Sequence, residues 1–235
     1  MRNYIGLDIS KVSTAMVIES NLGESFWSYN TKKLNSKWNT IASNCASIKT
    51  YIYETSEIYS DSEILKLKIY IKIANDILKD ILINIDSKEE TIVNIEGYSY
   101  SQNAGPIIDL VGIGSIIRAK LFESIDNVSI IITAPKSLKT QLCELVYGYS
   151  MVTKGKRKKK IVKEINRNKK GTAGGAFDKW DIFNALMDYK PTNILYIQSS
   201  IYHDDITAVK SFPKPFEDIN DAYFLKELII NNKYI

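Results

Sequence analysis

An acid closes the first apolar run of this chain, and that position restricts the folds open to it. Tyr4-Ile5-Gly6-Leu7-Asp8-Ile9-Ser10 is followed at once by a second apolar run, Thr14-Ala15-Met16-Val17-Ile18. The pattern predicts two antiparallel strands, residues 3–9 and 13–19, with Asp8 inside the first. Aspartate is a poor strand former and is costly to bury unpaired. Asp8 therefore either caps a turn and faces water or has a compensating partner, for which a divalent cation is the obvious candidate.

The chain has 235 residues, of which 45% are hydrophobic, enough to form a core and too many for a disordered protein. We read one domain, 1–235, with an insertion at about 150–175. No apolar run approaches the length of a membrane span, and Met1-Arg2-Asn3-Tyr4 does not open a signal peptide, so the expectation is a cytoplasmic protein without membrane contact. Cys45 and Cys143 are too few for a disulfide framework, and the absence of Cys-x-x-Cys excludes a zinc site of the usual kind. His203 is the only histidine, which disfavours a histidine base or a histidine metal cluster.

Net charge is +4, but it is unevenly placed. Between Lys154 and Lys170 stand ten Lys or Arg and one acid, Glu164, so this window carries +9 and the rest of the chain −5. A concentrated cationic segment on an otherwise acidic protein points to a polyanion partner; a solvated loop without a role is the alternative.

Further along, Phe26-Trp27-Ser28-Tyr29 reads as a third strand after the turn Asn21-Leu22-Gly23. Trp38, Ile41, Cys45 and Ile48 recur at helical spacing and predict a helix within 34–60. Ser60-Asp61-Ser62-Glu63 opens a long amphipathic helix that runs to about residue 84. Thr91 to Glu96 is a short buried strand ending on an acid, and Val128 to Thr133 is another strand. Helices are predicted over 106–122, where Gly112, Gly114 and Ser115 allow a close approach, and over 136–146 after Pro135. Two more are predicted from about Ala176 to Met187 and from about Glu217 to Ile230; Ile194 to Ile201 fits a strand or an ordered loop. The order of elements fits an α/β fold, a mixed sheet flanked by helices.

Four acids fall at special places in this order: Asp8 in the first strand, Glu96 at the end of an inner strand, Asp218 and Asp221 at the start of the last helix. Three residues apart, the last two share a helical face with Ala222, Leu225 and Ile229, which turns them toward the core. Stabilisation by the helix dipole, about 0.3–1 kcal/mol each, is the alternative explanation, stronger for Asp218 than for Asp221. Gathered together, four carboxylates would repel and raise one another's pKa, a penalty that divalent cations remove. With only oxygen ligands on offer, Mg²⁺ or Mn²⁺ is favoured over Zn²⁺.

In this order the residues resemble the RuvC-type Holliday-junction resolvases of the RNase H-like nuclease superfamily, especially phage and viral members. Tyr4-Ile5-Gly6-Leu7-Asp8 is similar to the first-strand aspartate motif, Val93-Asn94-Ile95-Glu96 to the strand ending in the catalytic glutamate, and Asp218-Ile219-Asn220-Asp221-Ala222 to the closing Asp-x-x-Asp-Ala motif. Ala134-Pro135-Lys136-Ser137-Leu138-Lys139 resembles the family's Ala-Pro-x-x-x-Lys segment, and Gly174-Gly175-Ala176-Phe177-Asp178-Lys179 its small-residue turn and Lys-bearing helix. The glycine usual soon after the first aspartate is missing, with Ser10 and Ser13 in that region, and 151–170 and 190–215 read as additions. Asp178-Lys179-Trp180-Asp181 is a second Asp-x-x-Asp; Asp218 and Asp221 are preferred because Ala222 follows them on the terminal helix.

The resemblance implies an RNase H-like mixed sheet, three antiparallel strands followed by parallel ones. It also implies a Mg²⁺-dependent endonuclease that cuts four-way DNA junctions as a homodimer, with helix 106–122 as a candidate interface. Asp8 would bridge two metals, with Glu96, Asp218 and Asp221 completing the ligands. Lys139, Lys154, Lys156, Arg157, Lys158, Lys159, Lys160 and Lys179 are the expected DNA contacts. Tyr98 and Tyr100 would stack on bases, with ordinary loop aromatics as the alternative. Three other functions stay open: a nuclease of this superfamily acting on RNA–DNA hybrids or flaps, an actin-like or sugar-kinase ATPase, for which phosphate-binding glycine loops are not evident, and a non-catalytic basic DNA-binding protein.

Overall fold

The structure is a computed structural model that describes residues 2–10, 12–30, 48–54, 59–98, 104–154, 160–189, 214 and 216–231. The predicted meander is present as β1 (Asn3–Asp8), β2 (Ser13–Ser20) and β3 (Gly23–Asn30). Asp8 is the last residue of β1, where a strand end gives its carboxylate room that a mid-strand site would not. The turn after it is held by serines in place of glycine: Ser10 Oγ donates to Ser13 O at 2.7 Å and accepts from Ser13 N at 3.0 Å. Gly23 closes the second turn at φ +113°, a conformation only glycine adopts freely.

β1 lies inside the sheet, antiparallel to β2 and parallel to β5 (Thr91–Glu96), which in turn pairs in parallel with β6 (Val128–Thr133). The sheet runs β4-β3-β2-β1-β5-β6, the expected mixed sheet of three antiparallel strands followed by parallel ones, with one strand added at its edge. That strand, β4 (Ile48–Ile52), lies where helical spacing predicted a helix. Ile48 fits both patterns, but the two tyrosines of Tyr51-Ile52-Tyr53 and parallel pairing with β3 favour an extended chain. Tyr51 stacks on Tyr29 with ring centroids 5.0 Å apart. Trp38, Ile41 and Cys45 of that predicted helix lie outside the described residues, as do 194–201.

Helices cover both faces. α1 (Tyr59–Asn84) and α2 (Ala104–Ser124) bury Ile73, Ile77, Ile113 and Ile117 against Ile5, Leu7 and Ile18. Of the small residues of α2, Gly114 allows a close approach as expected, since a Cβ there would stand 2.5 Å from Tyr98 Oη, whereas Gly112 faces the Tyr70 ring with room for a Cβ. On the other face, α3 (Pro135–Tyr147), α4 (Lys179–Asp188) and α5 (Phe216–Ile230) pack on Ala15, Val17 and Phe26. α4 begins three residues later than predicted, because Asp178 caps it and a single 3₁₀ turn, Gly174–Ala176, precedes it. The basic segment is a separate antiparallel hairpin, β7 (Tyr149–Lys154) and β8 (Lys160–Ile165). Among the described residues no helix is long and apolar enough to cross a membrane.

α5 is buried on nearly every side, from Phe216 to Ile229, not only along the stripe read from the sequence. It presses on β1 without intervening side chains: a Cβ on Gly6 would lie 1.8 Å from Ala222 O. Asn94 of β5 fastens the same helix by donating to Leu225 O at 2.9 Å. Lys226, fully buried, is balanced by Glu19 at 2.6 Å, by Glu227 at 2.9 Å and by Glu24.

Candidate active site

The sheet register gathers the acids. In the parallel pairing of β1 with β5, Gly6 is opposite Asn94 and Leu7 opposite Ile95, so the next residues, Asp8 and Glu96, end neighbouring strands at the same edge. Side chains alternate along a strand, so Asp8 projects to the face of Gly6, and Glu96 to the face of Asn94. Both of those residues meet α5. The first turns of α5 then bring Asp218 and Asp221 to that place, so that both charges act on Asp8.

Electrostatics follow from this crowding. Burial pushes the Asp8 carboxyl well above the usual carboxylate range, and the charges of Glu96, Asp218 and Asp221 push it further. Burial, then Asp221, raises Glu96 to about 7, although a hydrogen bond with Asp8 works the other way. Asp218 is raised by burial to about 6, against the pull of Lys214. Asp221 is raised by burial, with Lys179 opposing. Lys179 Nζ lies 2.7 Å from Asp221 and 2.9 Å from Glu217, and Lys214 Nζ lies 3.1 Å from Asp218. Burial works against the charge of both lysines, but the surrounding acids outweigh it and hold the ammonium groups protonated.

These residues fit divalent cations with oxygen ligands. Two ammonium groups do not neutralise Asp8, Glu96, Asp218, Asp221 and Glu217. Asp218 Oδ2 is buried without a hydrogen-bond partner, and so is Ser13 Oγ, which stands close enough to favour the Asp218 charge without making a well-formed hydrogen bond. An orphaned carboxylate oxygen among raised acids is the state a hard cation relieves. The group is loose: no three of the four acids offer oxygens all within 4.8 Å of one another. Among the described residues the trio that does is Glu19, Glu24 and Glu227, and its charge is already taken by the ammonium of Lys226.

The rival pair has another role. Asp178 accepts from Asp181 N at 2.8 Å and Asp181 Oδ2 accepts from Asp178 N at 3.3 Å, a capping box that starts α4. Asp181 Oδ1 is further occupied by Asn168 Nδ2 at 3.0 Å.

Of the expected DNA contacts, Lys179 stands in the acid group, 40% exposed, and Lys139 donates to Phe177 O at 2.6 Å while its charge reaches Asp221. Lys154, on the hairpin, pairs with Glu164 at 3.1 Å. Tyr98 leans on α2, accepting from Arg118 Nη2 at 2.8 Å. Tyr100, Lys156, Arg157, Lys158 and Lys159 lie outside the described residues, and Lys160 is described only as the first residue of β8. Sequence reasoning missed Ser13, Lys214 and Glu217. The spacing of Lys214 and Asp218, four apart, is the one signal that marks any of them in advance.

No family model and no curated protein matches this sequence. Among solved structures the chain is similar to T. thermophilus RuvC in complex with Holliday junction substrate: TM-score 0.48 and 9% identity, covering 96% of this chain and 90% of that one. It is also similar to a Thermus thermophilus RuvC structure, with TM-score 0.47 and 10% identity, covering 98% and 96%. Both likenesses are weak, and the chemistry is read from this chain's own residues.

Proposed function

We propose that this chain is a metal-dependent endonuclease that hydrolyses phosphodiester bonds in branched DNA, with four-way junctions as substrate. The observation that carries the reading is the convergence of Asp8, Glu96, Asp218 and Asp221 at one edge of the sheet, with their pKa values pushed up first by burial and then by neighbouring acids, Glu217 among them. Buried acids raised together in this way mark functional sites. Two Mg²⁺ or Mn²⁺ ions held by these four residues would supply an activated water and a stabilised leaving oxygen.

The chain's own groups have distinct tasks. Asp8, at the end of β1, feels the charges of Glu96, Asp218 and Asp221, and these four carboxylates would be the ligands that hold the ions. Lys179, part-exposed at the rim, draws the scissile phosphate toward the acids and keeps Asp221 oriented. Lys139 and the hairpin cations hold the phosphate backbone, which gives affinity with little sequence readout.

Symmetric cleavage of a four-way junction needs two such sites, so the reading includes a homodimer. Ile108 and Val111 on α2, and Ile64, Leu67 and Ile71 on α1, which packs against it, stand exposed and offer apolar surface for it.

The test incubates the protein with a four-way junction and with a linear duplex, with and without Mg²⁺, beside Asp8→Asn. Cleavage of the junction alone, with Mg²⁺ alone and only by the wild-type chain, is expected. An equal rate in Asp8→Asn would remove the assignment of the site, and equal cleavage of the duplex would remove the assignment of the substrate.

A further inference from the structure

We propose that the hairpin β7–β8 is a wedge that enters DNA where its base pairs part, setting an apolar face against the exposed bases and its cations on the flanking phosphates. The proposal rests on the reading of this chain as a branched-DNA nuclease and adds to it a specific instrument.

The pairing register decides which side chains share a face. Tyr149 is opposite Ile165, Met151 opposite Lys163 and Thr153 opposite Ile161, so these six project to one side. At the base of the hairpin this side is anchored: Ile165 packs on the core, and Lys163 reaches Glu144 of α3 at 2.6 Å while lying 4.3 Å from the centre of the Tyr149 ring. Farther out it is exposed among the described residues. Met151 is 61% and Ile161 71% exposed, against half-buried Val152 and Val162 on the opposite side.

Isolated apolar residues on a surface are ordinary. Three circumstances set these two apart. They lie on one side of a hairpin that forms its own two-stranded sheet, an arrangement only marginally stable without a partner. They lie beyond the Tyr149–Ile165 pair that roots the hairpin, Met151 one step out along that side and Ile161 two. They also adjoin the most cationic stretch of the sequence, ten Lys or Arg against one acid from Lys154 to Lys170. That charge opposes a second copy of the same face and requires an anionic occupant. Opened DNA presents phosphates and apolar base faces side by side, and isoleucine and methionine are among the side chains that proteins insert between base steps.

The test places 2-aminopurine at the branch point of a four-way junction and follows its fluorescence on binding in Ca²⁺, for wild type and for the double variant Met151→Thr, Ile161→Thr. Both positions are exposed and threonine suits a strand, so the hairpin is retained. The wild-type chain is expected to raise the fluorescence at saturation. The variant should lose at least half of that rise, with the salt slope of binding unchanged, because the phosphate contacts stay. An undiminished rise, or a flattened salt slope in its place, overturns the wedge while junction cleavage leaves the nuclease reading intact. A variant that changes only self-association, or only binding to phosphatidylserine vesicles, assigns the face to those partners and overturns the proposal as well. A wild-type chain that neither binds nor cuts the junction overturns both readings.

Discussion

A methyl group on Gly6 would stand 1.8 Å from the carbonyl oxygen of Ala222. Strand β1 and helix α5 therefore meet backbone to backbone, and this contact sets the distance from Asp8 to the acids of the helix. Gly6→Ala forces the helix away from the sheet. Overpacking of this kind costs about 3 kcal/mol or more when the obstacle is backbone. Urea denaturation should show a lower midpoint, and cleavage should fall with it. A Gly6→Ala chain with the wild-type midpoint would contradict the contact.

Asp221 and Asp181 belong to two different Asp-x-x-Asp sequences: Asp181 completes the cap of α4, and the proposed function gives the chemistry to Asp221. Asp221→Asn is expected to abolish cleavage while the fold is kept. Asp181→Asn should cut at the wild-type rate, and Asp178→Ala, which removes the cap of α4, should cost about 1 kcal/mol of stability and no activity. Rates and melting curves of the three variants decide it; loss of cleavage in Asp181→Asn alone would move the site to α4.

Stability of the metal-free protein should depend on pH in a specific direction. Glu96, at about 7, and Asp218, at about 6, lie above the ordinary carboxylate range of the unfolded chain. A raised acid stabilises the fold when protonated, so its contribution is full below about pH 4 and is lost as pH rises toward 7. Asp8 and Asp221 shift in the same direction. Mg²⁺ competes with the proton for these oxygens, so the rise in melting temperature on adding Mg²⁺ should be larger at pH 8 than at pH 5.5. Thermal scans at the two pH values, with Asp8→Asn showing a smaller difference, check the point; a larger effect at pH 5.5 would refute it.

Neutralising Lys156, Arg157, Lys158, Lys159 and Lys160 together should weaken DNA binding without touching the acids. Each lost phosphate contact flattens the salt slope by up to roughly 0.9. Junction and duplex affinity should fall together if the contacts are to backbone alone. A binding series in Ca²⁺ across salt concentrations measures this, and an unchanged slope would place the DNA path elsewhere on the protein.

The sheet was legible in the sequence because its strands are apolar runs bounded by turns; Glu96 is expected at a strand end and found there, whereas Asp8, expected inside a strand over 3–9, is the last residue of β1. The edge strand β4 was not legible, since Ile48 satisfies a helical period as well as an alternating one, and pairing with β3 decides between them only in three dimensions. The hairpin was read as charge alone: Tyr149, Met151 and Ile161 show a common face only once the register is known. Lys226 and its three glutamates were equally hidden, because the partners Glu19 and Lys226 stand 207 positions apart. The capping box at Asp178 and Asp181 had a local signature, and there sequence and geometry meet within four residues.

Helix α5 supplies two of the four acids and lies at the centre of the fold, yet it comes more than eighty residues after β6, the last of the sheet strands β1–β6. On a ribosome, the strands bearing Asp8 and Glu96 are made long before the helix that completes their site. Until α5 docks on Gly6 and Asn94, the chain carries two of the four acids and an open core. The order of synthesis thus leaves the acid group incomplete until α5 has been made, after the hairpin β7–β8 is already in place.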